Sequence, residues 1–150
     1  MKKIATLMIA LFSFSALASD FDPNYNENCA KRYIRGSQDL VVVAEAFNRG
    51  DIGKAEYAAR VASIDTNIMA LRAYCLNENS DAQECVNKTK IGFIKIREKM
   101  NVREVLKSEQ SRVEVSQLDL LKLVKGSVGG FFRSLRNGNA NVCSLDASFE

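Results

Sequence analysis

The stretch that decides the fold is residues 40–75, LVVVAEAFNRGDIGKAEYAARVASIDTNIMALRAYC. Before and after its turn, Asn48-Arg49-Gly50-Asp51, mostly apolar side chains recur at steps of three and four, the spacing of one helix face. The first face is Cys29, Tyr33, Gly36, Leu40, Val43 and Phe47, and the second is Tyr57, Val61, Ile64, Ile68, Leu71 and Cys75. The pattern predicts a helical hairpin whose faces must each bury against a partner.

The turn also contains the residue types that end one helix and begin the next. The first helix is expected to start near Asn24 and to end near Asn48. Gly50 suits the left-handed residue that ends a helix, and Asp51 can cap the free N–H groups of the following one. We expect that second helix to cover roughly residues 52–76.

Two more helices are predicted towards the C-terminus. Ser80 and Gln83 have capping-box spacing, and a third face follows at Val86, Thr89, Phe93, Ile96 and Met100. A break is expected within residues 107–111. The fourth helix starts at Ser111 or Ser116 and ends near Asn137, although the alternation of Val113 and Val115 leaves a short strand as an alternative. Its face is Leu121, Val124, Val128, Phe131 and Leu135, widened by Leu118, Leu120, Leu123 and Phe132.

These runs, with a single proline in the chain, predict an all-α protein. The expected architecture is an antiparallel up-down four-helix bundle, stapled at one end by two disulfides.

The N-terminal segment is typical of a cleaved secretory signal peptide. Two lysines precede an apolar run from Ile4 to Leu17, and residues 16–18 fit the small-x-small cleavage pattern. The run is too short for a retained membrane anchor. We therefore expect a signal peptide at residues 1–18, a single helical domain at residues 19–150, and a periplasmic or secreted, bacterial protein.

Four cysteines, an even number, remain after such processing, which predicts two disulfides rather than free thiols. In an up-down bundle, Cys29, Cys75, Cys85 and Cys143 all lie at the same end. The nested pairing, Cys75–Cys85 with Cys29–Cys143, requires the least rearrangement of the chain and is the favoured prediction. The alternative is Cys29–Cys75 with Cys85–Cys143. Each bond would add about 2–4 kcal/mol of stability.

Composition argues against several classes of function. The chain has no histidine, so the usual general base and the commonest metal ligand are both missing. No C-x-x-C pair, nucleophile elbow, phosphate-binding glycine loop or heme-attachment motif occurs. We expect no metal, no cofactor and no catalytic residue. Removal of Lys2 and Lys3 lowers the net charge from +3 to +1, so nucleic acid is not an expected partner.

Two features are candidates for binding. The first is a basic run on the third helix, where Lys88, Lys95 and Lys99 share one face and Arg103 follows. It suits an acidic partner, but an ordinary solvated helix face is the commoner explanation of such a run. The second is the cationic amphipathic segment 120–136, which contains Gly126, Gly129 and Gly130. These glycines would serve close packing, a mobile membrane-docking element, or a break near Lys125 followed by a short helix.

The leading hypothesis is an exported, non-enzymatic protein that binds another protein, as an inhibitor, immunity factor or envelope adaptor. A membrane-surface protein that uses segment 120–136 is the alternative. A small periplasmic enzyme that uses only carboxylates, Lys and Arg is a third hypothesis, and it predicts a buried Arg or Lys.

Overall fold

A computed structural model describes residues 25–75, 83–124, 128–138 and 142. It confirms the all-α class, because this part of the chain is mostly helical and contains no strand. Its helices are α1 (Tyr25–Asn48), α2 (Lys54–Tyr74), α3 (Gln83–Lys99), α4 (Val102–Lys107), α5 (Gln117–Leu123) and α6 (Val128–Arg136). The predicted signal peptide lies outside the described residues.

Helix α1 is the centre of the fold. It packs against α3, α2 and α5, while α2 also contacts α4 and α5 contacts α3 and α6. The predicted face of α1 is buried along its whole length, from Cys29 to Phe47. The predicted faces of α2 and α3 are buried too, except that Ile64 and Cys75 are partly exposed. The observed arrangement therefore places α1 in contact with α2, α3 and α5, while α4 and α6 pack on through α2 and α5.

The α1–α2 turn confirms one predicted role and corrects the other. Gly50 has φ +78°, and the N–H groups of Gly50 and Asp51 donate to the carbonyls of Phe47 and Ala46, both at 2.9 Å. This is the two-bond pattern of a glycine-terminated helix. Asp51 does not cap α2, which starts after Gly53 without a side-chain cap. The Asp51 carboxylate instead accepts a hydrogen bond from Arg49 at 2.8 Å.

Two glycines allow helices to approach closely. A Cβ added to Gly36 would lie 2.8 Å from Cδ1 of Ile68 and 3.2 Å from Cε2 of Phe93, so this point of α1 touches both α2 and α3. A Cβ added to Gly92 would overlap the side chain of Leu123, which packs α5 against α3.

The third helical run ends as predicted at Lys107, but it contains a second break. Helix α3 ends at Lys99, and Asn101 takes the left-handed conformation, with φ +46°, before α4 begins. Asparagine is one of the few residues that tolerate this region. Tyr57 of α2 fixes the junction, since its hydroxyl donates to the carbonyl of Met100 at 2.5 Å. Burial raises the pKa of Tyr57 to about 12, although Arg97 acts in the opposite direction.

The predicted continuous fourth helix is wrong. Residues 109–116 are non-helical. The side-chain amide of Asn48 forms two hydrogen bonds with the backbone of Val113, donating to its carbonyl at 2.9 Å and accepting from its N–H at 2.7 Å. Helix α5 starts at the Ser116 cap, and α6 is a separate helix. The predicted face is buried only in part. Val124 and Leu135 are buried, as are Leu120, Leu123 and Phe132 beside them, whereas Leu118 and Leu121 are exposed. Of the three explanations given for the glycines of segment 120–136, a break near Lys125 followed by a short helix agrees with the end of α5 at Leu123 and the start of α6 at Val128.

The structure joins Cys29 to Cys75, and the favoured nested pairing is therefore wrong. The Cα atoms are 6.1 Å apart. The physical reason is that α1 and α2 pack side by side, so that the start of α1 meets the end of α2. Cys85 is not a free thiol, and Cys143 lies outside the described residues. None of the described helices is long and apolar enough to cross a lipid bilayer.

Candidate binding surfaces

The predicted basic residues are divided between two helices. Lys88 and Lys95 lie on α3 and are exposed, Lys99 is at the end of α3, and Arg103 is exposed on α4. Lys88 forms an ion pair with Glu84 at 3.0 Å within α3. Because both partners are in water, this pair contributes little to stability and can exchange for another carboxylate.

Lys99 has a structural role, because it forms an ion pair with a buried aspartate. Its Nζ lies 2.5 Å from Oδ1 of Asp119, whose side chain is only 6% exposed. The other oxygen of Asp119 accepts the Ser116 N–H at 3.0 Å, while the Ser116 hydroxyl accepts the Leu118 N–H at 3.3 Å. Lys99 therefore neutralises the buried capping carboxylate of α5.

Sequence reasoning missed two isoleucines on the same helix. Ile91 and Ile94 are 48% and 39% exposed. Helical spacing puts Ile91 on the side of α3 opposite the buried Phe93 and Ile96, and beside Lys88 and Lys95. We call Lys88, Ile91, Ile94 and Lys95 the outward face of α3. The signal that could have found it is the position of Ile91, which falls outside the predicted buried face.

A groove of about 750 Å³ opens between α1, α5 and α6, and we call it the C-terminal groove. Its lining combines amide, apolar and cationic groups: Gln38, Gln117, Leu121, Gly129, Phe132, Arg133 and Arg136. Arg133 and Arg136 belong to segment 120–136, which the sequence also singled out. Gly129 and Gly130 are exposed there, so close packing does not explain these two glycines.

A second groove, of about 460 Å³, lies between α1 and α2. Ile64, Ile68 and Leu71 contribute apolar surface, and Arg35 and Asp39 are at its polar side. Partial loss of hydration raises the pKa of Asp39, and the neighbouring Arg35 opposes that rise.

The buried polar side chains of the described core have structural partners. The Ser37 hydroxyl donates to the Tyr33 carbonyl at 3.0 Å, and that of Thr89 donates to the Val86 carbonyl at 2.8 Å. Apart from the tyrosines, Asp119 is the only other buried side chain with a polar group in the described ranges. In the same ranges, no group of three or more His, Cys, Asp or Glu residues could hold a metal ion.

Comparison with protein-family models, with curated proteins and with solved structures finds no match to this chain. The functional argument therefore rests on the surfaces described above.

Proposed function

We propose that this is an exported, non-enzymatic protein that binds an acidic protein partner through the outward face of α3. Such a protein would act as an inhibitor, an immunity factor or an envelope adaptor. The observation that carries the proposal is an exposed pair of isoleucines flanked by two lysines on a helix whose other side is anchored in the core.

The isoleucines would supply the binding energy. Ile91 and Ile94 are one turn apart, so a partner can cover both with a single apolar contact. Isolated exposed apolar residues are ordinary, but an apolar centre with a charged rim is the usual anatomy of a protein interface. Burial of apolar surface gives about 25 cal/mol per Å² removed from water.

The lysines would supply orientation and speed of association. Lys88 and Lys95 lie two turns apart on either side of Ile91 along the helix. Charges at the rim of an interface accelerate association with a partner of opposite sign, and that acceleration falls as salt increases. Arg103 on α4 would extend the same attraction.

The membrane-surface alternative has less support. The apolar side chains that segment 120–136 would insert into lipid include Leu120, Leu123, Phe132 and Leu135, and all four are buried in the protein core. Full insertion would require α5 and α6 to leave that core.

The test uses the oxidised protein with a photo-crosslinking amino acid at position 91 or, as the matched control, at position 69. Met69 is also a large exposed apolar residue, 69% exposed, but it lies on α2. The proteins are incubated with envelope extract from the producing organism, and the crosslinked partner is identified by mass spectrometry. We expect one acidic protein to crosslink at position 91 and not at position 69.

Affinity for the purified partner then separates a specific interface from capture alone. Ile91→Asp and Lys95→Glu should each weaken binding at least tenfold, whereas Met69→Gln should change it less than twofold. Binding that survives both α3 substitutions, or crosslinking that is equal at the two positions, would contradict the proposal.

A further inference from the structure

The described lining of the C-terminal groove carries an unbalanced positive charge. Arg133 and Arg136 lie one turn apart on α6, on neighbouring positions of the helix surface. Neither side chain forms an ion pair with any described carboxylate, and no acidic side chain is among the described groove residues. Guanidinium groups bind phosphate and carboxylate oxygens through paired hydrogen bonds. Two adjacent arginines fit the two charges of a phosphate monoester better than the single charge of a carboxylate.

The rest of the groove lining provides apolar surface and hydrogen-bonding amides beside the two arginines. Leu121 is 39% exposed, although it is a large apolar residue, and it lines the groove together with Phe132. An added Cβ at Gly129 would meet nothing within 4 Å, so the space over the start of α6 is open. The amides of Gln38 and Gln117 add hydrogen-bonding groups. A volume of about 750 Å³ is within the range of small-molecule pockets.

We propose that the C-terminal groove binds one molecule of a single-chain amphiphile with a phosphate headgroup. The headgroup lies against Arg133 and Arg136, and the alkyl chain covers Leu121 and reaches the part of Phe132 that lines the groove. This site lies on α1, α5 and α6, so it is independent of the protein-binding face proposed on α3.

The probe is dodecyl phosphate below its critical micelle concentration, with binding to the oxidised protein measured by isothermal titration calorimetry. We expect saturable binding of one molecule per chain. Arg133→Gln combined with Arg136→Gln should weaken binding at least tenfold. The matched control, Arg72→Gln with Lys107→Gln, removes the same charge from exposed positions outside the groove and should change affinity less than twofold. Leu121→Ser should also weaken binding, and thermal unfolding checks that every variant is folded.

Three further titrations separate the sources of binding. Inorganic phosphate tests the headgroup alone, dodecyl maltoside tests the chain without the anion, and vesicles containing phosphatidylglycerol test a membrane surface. We expect all three to bind at least tenfold more weakly than dodecyl phosphate. Equal affinity for phosphate or for the maltoside, no binding of the monomeric probe, or binding to vesicles alone would overturn the proposal.

Discussion

The α1–α2 hairpin and the α5–α6 pair are stabilised in different ways. The hairpin consists of helices of 24 and 21 residues, joined by a glycine-terminated turn and closed by Cys29–Cys75. Helices α5 and α6 have 7 and 9 residues, and they depend on the Ser116–Asp119 capping box and on a few buried side chains such as Leu123 and Leu135. Helices this short are not stable alone in water, so packing against α1 and α3 must hold them.

The two regions therefore differ in how their helices are held. The hairpin is covalently closed, whereas the short C-terminal helices are held by packing and line the C-terminal groove. Binding surfaces are commonly drawn from the less stable part of a fold. We therefore expect changes in the hairpin to alter global stability and changes in α5 and α6 to act more locally.

The largest expected effect is removal of the Cys29–Cys75 bond. Its cysteines are separated by 46 residues. Closing a loop of this length lowers the entropy of the unfolded chain, which contributes about 4 kcal/mol to the free energy of unfolding. Cys29→Ser combined with Cys75→Ser should lower the free energy of unfolding by this amount in urea denaturation. A loss below about 1 kcal/mol would show that the hairpin does not depend on the bond.

The second prediction compares glycines of the two regions. Gly36→Val places methyl groups against Ile68 and Phe93, and this overpacking should cost about 2 kcal/mol. Gly129→Val is the matched control, since nothing lies within 4 Å of its Cβ position, and its cost should stay below about 0.5 kcal/mol. Thermal unfolding measures both. Similar losses at the two positions would show that the close approach at Gly36 is absent.

The third prediction compares an ion pair from each region. Asp119→Ala removes the half of the α5 capping box that accepts the Ser116 N–H, and it leaves Lys99 without its partner, so it should cost about 1.5–2 kcal/mol. Asp65→Ala breaks a bidentate pair with Arg97 at 2.8 Å, but that pair is about one-third exposed and should cost about 1 kcal/mol.

Hydrogen exchange distinguishes the two aspartate variants further. Asp119→Ala should accelerate exchange of α5 amides while α1 stays protected, whereas Asp65→Ala should leave α5 unchanged. Faster exchange throughout α1 in the Asp119 variant would contradict the local character of the C-terminal helices.

The smallest effect concerns pH and Asp39. Loss of hydration raises the pKa of Asp39 in the folded state, so the folded protein binds more protons than the unfolded chain just above pH 3.8. Stability therefore falls as the pH rises through that window, and the penalty persists at neutral pH. Asp39→Asn should raise the melting temperature slightly at pH 7 and leave it unchanged at pH 3. A lower melting temperature at pH 7 would show that the carboxylate is stabilising instead.

The long helices could be predicted because a single phase of their sequences buries most of the apolar side chains. Residues 111–137 could not, since Leu118, Leu120, Leu121 and Leu123 fit several helical phases. The helical phase that the fold adopts is the one that packs Leu123 against Gly92. The left-handed Asn101 has no clear signal in the sequence, because its neighbours are good helix formers.

The binding surfaces were predicted only in part. Lys88 and Lys95 stood out by charge. The exposure of Ile91 and Ile94 could not be predicted in the same way, because it depends on the packing of α1 against the other side of α3. Lys99 could not be assigned to Asp119 without the position of α5. The disulfide pairing had the same limitation, since four cysteines allow three connectivities and the packing of α1 selects among them.

The most direct test of the fold is to map the disulfides of the unreduced protein after digestion with trypsin and Asp-N. This digestion separates Cys29, Cys75, Cys85 and Cys143 into residues 22–31, 73–80, 81–88 and 137–145. The central position of α1 predicts a linked pair of 22–31 with 73–80, and leaves 81–88 to pair with 137–145. A linked pair of 73–80 with 81–88 would contradict it, and α1 would then not hold the end of α2.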